Sequence, residues 1–296
     1  MMGTGSTGKG AGYRKILFAV DASVHMRAAG PAVGRLAQAT RAEVVILHVS
    51  DAGGPAVASS HPPEEVERMA RGLRDFDVEP SVLVRHAPTD QVAETIVAVA
   101  REFACDLIAL GSRGLSDLSG LFKGSVSHRV IAASDCPVMV VRYGMRRRGG
   151  PIHRLLLAVA GGEEVEGAYE AAATIAKPTG AEVLVLHARY LIAGLDHWPY
   201  VESDAYAQRE VLTIVKRFEK AGIRARTYSP VALAGIAHEI AAEARTWDAD
   251  LVVIGSHRLS DLASLLLGGI DHDVIHLGEQ PVLIAKRPTA QPGARR

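Results

Sequence analysis

Short apolar runs rich in Val, Ile and Leu alternate along this chain with longer segments whose apolar residues recur every three to four positions. The runs suit strands buried on both faces, and the longer segments suit amphipathic helices. In the first half the pattern predicts strands near 15–21, 43–49, 79–84, 106–111 and 137–142. It predicts helices near 25–40, 63–74, 89–103 and 125–133. Such alternation specifies an α/β fold with a parallel sheet, right-handed crossovers and helices on both faces.

The whole pattern then repeats. "KILFAVDAS" (Lys15 to Ser23) matches "RLLLAVAGG" (Arg154 to Gly162), and "AEVVILHVS" (Ala42 to Ser50) matches "AEVLVLHAR" (Ala181 to Arg189), both at an offset of 139. "CDLIALGSRGLSDL" (Cys105 to Leu118) matches "ADLVVIGSHRLSDL" (Ala249 to Leu262), and "CPVMVVR" matches "QPVLIAKR", at an offset of 144. Same elements in the same order indicate a duplication with one small indel. The expected division is a disordered tail over 1–12, a first domain over 13–143, a linker over 144–151, a second domain over 152–288 and a disordered tail over 289–296. The linker "YGMRRRGGP" carries Gly, Pro and charge between two apolar strands.

Composition narrows the function classes. The 296 residues fit about two domains, and 48% hydrophobic with 22% charged residues is an ordinary globular mixture. Lys plus Arg balances Asp plus Glu at 33 each, so no general electrostatic case for nucleic-acid binding exists. Cys105 and Cys136 offer neither a disulfide framework nor zinc spacing, which suits a reducing cytoplasm. No apolar stretch approaches a membrane span, and no signal segment is apparent.

The opening "GTGSTGKG" (Gly3 to Gly10) spells nearly a P-loop, yet no strand precedes it, Gly10 replaces the metal-binding hydroxyl and no helix follows. It reads as tail. In open parallel sheets a ligand sits beyond the carboxyl ends of the strands, where the winding reverses. After the fourth predicted strand comes "GSRGLSDLSGLFKGSVSHRV". Gly111 and Gly114 stand at the strand exit, where a missing Cβ permits close approach. Gly124, Ser125, Val126 and Ser127 open a helix whose first N–H groups have no intrahelical partner.

This arrangement, Gly111-x2-Gly114-x9-Gly124-Ser125, resembles the nucleotide-binding signature of the universal stress protein family, ATP-binding subgroup. "KILFAVDAS", "ILHV" at 46–49 and "CPVMVV" at 136–141 resemble that family too, in two tandem copies. The resemblance implies two tandem Rossmann-like domains, each a five-stranded parallel sheet of the adenine nucleotide α-hydrolase type. It implies an adenine pocket at Ala19, Val20 and Val49, with the backbone of Val49 on the base edge. Asp21 would serve the ribose and phosphates, through a hydroxyl or a shared Mg²⁺. Gly111, Arg113 and Gly114 would line the ribose and phosphates, and Gly124, Ser125, Val126 and Ser127 the phosphate tail. ATP, ADP and AMP all remain open as the ligand. Each residue also has a plainer reading: Asp21 and Ser125 as helix caps, the glycines as turn formers.

The second copy has Ala160 for Asp21, Arg258 for Gly114 and Gly269 for Ser125, so a structural partner with a degenerate site is expected. His272 and His276 have a chelating spacing without identifiable further ligands. His48 and His187, inside apolar strands, read as satisfied core residues. Trp198 and Tyr200 fall in a loop near the second mouth. No triad order, carboxylate pair or catalytic cysteine setting stands out. The expected function is nucleotide-dependent regulation in a stress response. A nucleotide-free scaffold and a slow ATPase or adenylate-forming enzyme are the alternatives, although "DASVHM" and "AGGEEV" lack the phosphate loop that the last would need. In relatives of this type the last strands pair antiparallel, so Pro137–Arg142 and Pro281–Lys286 are expected to pair within one chain as a pseudo-dimer. A further homodimer is open, and neither nucleic acid nor membrane is an expected partner.

Overall fold

The computed structural model describes residues 12–21, 23, 26–27, 29–51, 62–112, 126–143, 145, 149–159, 164–189, 191–193, 199–201, 204–255 and 270–286. The first repeat runs β1 (Lys15–Val20), α1 (Ala29–Thr40), β2 (Glu43–Asp51), α2 (Glu64–Arg74), β3 (Ser81–Ala87), α3 (Val92–Glu102), β4 (Leu107–Ser112), α4 (Val126–Ala133) and β5 (Val138–Arg142). The second runs β6 (Arg154–Ala158), α5 (Glu164–Thr179), β7 (Glu182–Leu186), β8 (Leu191–Ala193), β9 (Pro199–Val201), α6 (Asp204–Lys220), β10 (Ala225–Tyr228), α7 (Ile236–Thr246), β11 (Leu251–Gly255), α8 (Ile270–Leu277) and β12 (Val282–Ala285). The antiparallel β8–β9 pair has no counterpart in the sequence-predicted pattern.

Ten strands form one sheet in the order β10-β7-β6-β11-β12-β5-β4-β1-β2-β3. Pairing within each repeat is parallel, and the repeats join where β12 meets β5 antiparallel, Val282 opposite Val140 and Ile284 opposite Val138. The residues alternate between two apolar layers. Ile16 and Phe18 join one cluster, whereas Leu17 and Ala19 join the other. Burial on both faces explains why the strands read as unbroken apolar runs. Both clusters contain residues of both repeats, so the two halves share their core.

Duplicated polar anchors fix the strand starts. The Asp106 carboxylate accepts the N–H groups of Arg14 and Lys15 at 3.0–3.1 Å. Asp250, its counterpart, accepts those of His153 and Arg154 at 2.8 and 3.0 Å. The helix-to-strand turns correspond too: Arg41 after α1 is left-handed at φ 57°, and the second repeat puts Gly180 there at φ 67°. Glycine adopts that conformation without the Cβ clash that Arg41 tolerates.

Across the junction the Arg142 guanidinium donates to the Gly278 carbonyl at 2.8 Å, and the Lys286 ammonium donates to the Ile131 carbonyl. Each last strand thus sends a cation to the carboxyl end of the other repeat's last helix, where the helix dipole favours positive charge. One contact breaks the symmetry. Arg35 on α1 donates to Asp250 at 2.6 Å and to the Pro151 carbonyl at 3.2 Å, with both charged side chains over nine-tenths buried. The second repeat has Thr174 where Arg35 stands.

Removing one partner of a buried ion pair strands the other charge in a low dielectric. Arg35→Ala is therefore expected to lower unfolding stability by about 3 kcal/mol in urea titration. Thr174→Ala, at the matching place, should cost under about 1 kcal/mol.

Candidate functional site

Strand β1 pairs with β2 on one side (Val20 opposite His48) and with β4 on the other (Ala19 opposite Leu110). The chain leaves β1 toward β2 and β3, then returns across it to β4 and β5. The crevice of such a sheet lies at the carboxyl ends of β1 and β4, where adjacent crossovers run to opposite sides. Ala19 and Val20 end β1, Asp21 follows it, Val49 lies near the end of β2, and Gly111 is the penultimate residue of β4. Val126 and Ser127 begin α4. Ala19, Val49 and Val126 belong to the apolar layer beneath α3 and α4, so the structure brings these three to one side of the sheet. Arg113, Gly114, Gly124 and Ser125 lie outside the described residues.

One side chain turns the chain out of β1. The exposed Asp21 uses Oδ1 to accept the Ser23 N–H at 2.9 Å, which closes a local turn after β1. The Ser23 hydroxyl is buried and has no hydrogen-bond partner among the described residues. Sequence reasoning misses Ser23; its place two residues after a strand-ending Asp is the available signal. Arg27, in the same turn, is held by Glu65 of α2 through contacts of 2.6 and 3.2 Å, and the guanidinium keeps that carboxyl below its ordinary range.

At Gly111 the structure supplies a packing reason for the glycine. A Cβ built there would lie 2.0 Å from Sδ and 2.7 Å from Cε of Met26, so the close approach that its missing side chain permits is made by a methionine. Met26 is buried in the layer under α1, on the other side of the sheet from Ala19 and Val49. It backs the mouth.

His48 sits behind the same corner. Its Nδ1 donates to the Val20 carbonyl at 3.1 Å, which fixes the proton on that nitrogen because a carbonyl only accepts. His187 holds the Val159 carbonyl at the same distance in the second repeat. Both histidines are core residues, and each ties the end of a repeat's first strand to its second.

On the far side, Arg129 of α4 donates to the Glu94 carboxylate of α3 at 2.6–2.7 Å, and the guanidinium holds that carboxyl below its ordinary range. Beyond Val49, Ser50 and His86 are joined side chain to side chain at 2.6 Å, a pair that sequence reasoning misses because its members lie 36 residues apart.

In the second repeat Gly255 ends β11, as Gly111 nearly ends β4. Ala160, Arg258, Gly268, Gly269 and Trp198 lie outside the described residues, as do the side chains of His272 and Tyr200. No group of three or more His, Cys, Asp or Glu side chains suited to a metal occurs among the described residues. Burial pushes the Cys105 thiol up to about 11 and raises the Cys136 thiol as well, so both are held protonated at neutral pH. No helix among the described residues is long and apolar enough to cross a membrane.

The model of the universal stress protein family matches residues 12–142 and again 151–286. The chain belongs to the universal stress protein family. It is 28% identical over 197 residues to a universal stress protein of Mycobacterium tuberculosis, spanning 65% of this chain and 65% of that relative's length. It is 33% identical over 150 residues to the universal stress protein YxiE of Bacillus subtilis, covering 44% of this chain and 99% of the relative. The crystal structure of a universal stress protein from Archaeoglobus fulgidus superposes with a TM-score of 0.68 at 20% identity, over 92% of this chain and 96% of that one. The tandem organisation and α/β architecture expected from the sequence are therefore those of the family.

Gly111→Ala should destabilise the protein by about 1 kcal/mol, because Met26 must leave its seat. A double-mutant cycle with Met26→Ala should show the Gly111→Ala penalty largely gone in the smaller background. Thiol titration provides a second check: Cys105 should react sluggishly at neutral pH and accelerate as the pH approaches about 11.

Proposed function

We propose that this universal stress protein binds one adenine nucleotide per chain, at the carboxyl edge of the first repeat, and acts as a nucleotide-dependent regulator in the cytoplasm. The observation that carries this reading is the convergence of Asp21, Val49, Gly111 and the start of α4 on the winding reversal. Val49 would present its backbone to the base, and Asp21 would accept a ribose hydroxyl. The first amides of α4, with Gly124, Ser125 and Ser127, would receive the phosphates through N–H groups and the helix dipole. Gly111, Arg113 and Gly114 would line the intervening wall, and Ala19 and Val20 the base pocket.

The residues present fit such a guest. Asp21 is exposed at the mouth, and the Ser23 hydroxyl two residues on is buried with no hydrogen-bond partner among the described residues. A single carboxylate suits Mg²⁺ shared with phosphate rather than a cation held in a protein cage. When bound, the nucleotide would supply phosphate charge; the chain's part is to orient it and to hold the ribose. ATP is our reading, with ADP and AMP as alternatives, and any hydrolysis would be slow.

On the same reading the domains are 13–143 and 152–288, and the second is a partner whose site has degenerated, with Ala160 in place of Asp21. The β5–β12 join supports a pseudo-dimer in which each repeat covers the other's sheet edge. A nucleotide-free scaffold is the second reading, and the shared core together with the Met26 side chain seated against Gly111 favours it.

Calorimetric titration with ATP, with and without Mg²⁺, decides between them. One site per chain is expected, weakened about tenfold or more in Asp21→Ala as a charge-assisted contact is lost. Two equal sites would overturn the asymmetry of the repeats, and absence of binding would leave the scaffold.

A further inference from the structure

We propose that Lys286 of the second repeat is a positioning residue for the nucleotide site of the first, holding α4, the helix assigned to the phosphates, by its carboxyl end. The inference rests on the nucleotide reading above and gives the second repeat a part in that site.

The sheet delivers Lys286 to its place. Strand β12 runs antiparallel to β5, with Val282 opposite Val140 and Ile284 opposite Val138. Lys286 follows β12 directly, so it arrives beside the amino end of β5, where α4 also ends. Its ammonium donates to the Ile131 carbonyl. That carbonyl belongs to the last turn of α4, whose final four C=O groups have no intrahelical donor.

Apolar packing alone holds this helix weakly: among its eight residues only Val130 and Ile131 are buried. Polar ties hold the ends. Arg129 joins the first turn to Glu94 of α3 at 2.6–2.7 Å, and Lys286 joins the last turn to the second repeat. An eight-residue helix is about 12 Å long, so Lys286 acts on the phosphates through α4 and not by contact. A cation at the carboxyl end offsets the negative pole of the helix dipole, which leaves the N–H end more attractive to phosphate. The tie also fixes the helix before a ligand arrives, which removes an ordering cost from binding.

The reciprocal contact gives Lys286 its counterpart. Arg142 of the first repeat donates to the Gly278 carbonyl, just past α8, at 2.8 Å. Each repeat's last helix is thus tied to the other's last strand. Only the first repeat carries Asp21 and Ser125, so of the two cations Lys286 is the one that bears on the nucleotide.

Calorimetric titration of the full chain with ATP tests the proposal. Lys286→Met should weaken ATP about 3- to 10-fold, the worth of a charge at a helix end. Lys286→Arg keeps the cation and should bind as the unaltered protein does. Arg35→Ala loosens the junction elsewhere and should leave ATP affinity unchanged, which separates positioning from a general loss of stability. If Lys286→Met does not fold, Lys286→Gln carries the same expectation, since it retains a donor without the charge. Unchanged affinity in the uncharged variant, an equal loss in Lys286→Arg, or an equal loss in Arg35→Ala overturns the positioning role. The nucleotide reading survives each of these results if Asp21→Ala still weakens ATP. If the unaltered protein does not bind ATP, both proposals fail.

Discussion

Strand β1 is buried on both faces, so its backbone can hydrogen-bond only sideways, to β2 on one edge and β4 on the other. The chain must therefore leave β1 in one direction and come back in the other, and the crossovers part at its carboxyl end. That parting gathers residues from positions 19, 49, 111 and 126 onto one edge. The same constraint acts on β6, which lies between β7 and β11. The first strands of the two repeats thus have equivalent neighbours, and the residues that follow those strands differ in sequence.

The junction shows how a duplication becomes one molecule. The β5–β12 pairing and the two cations reaching to helix ends follow an approximate two-fold relation. Arg35–Asp250 does not, since Thr174 offers no charge in return. A buried ion pair contributes little net stability compared with apolar packing, yet it penalises any arrangement that leaves either charge unpaired. It is a contact that belongs to first repeat against second and cannot be reproduced between two copies of the second.

At the proposed mouth, the roles divide by the side of the sheet. Ala19, Val49 and Val126 share the layer under α3 and α4, whereas Met26 closes the opposite side against Gly111. His48 holds the Val20 carbonyl between them and so sets the direction in which the chain enters Asp21. The rigid parts of this corner are side chains that the ligand need not touch, and they preorganise the backbone that it would.

The sequence by itself determined the elements, their order and the duplication, because strands buried on both faces must be apolar throughout and helices must repeat every 3.6 residues. Such periodicities are local and survive in the letters. It also marked Asp21 and Gly111 as strand-end residues, and His48 and His187 as core. Only the tertiary structure decided what those residues touch: Asp21 accepting from Ser23, Gly111 receiving Met26, His48 capturing Val20. It alone paired Ser50 with His86 and Arg35 with Asp250, the latter 215 positions apart. Contacts across a sheet or between repeats depend on register and layer, which no periodicity within one segment encodes.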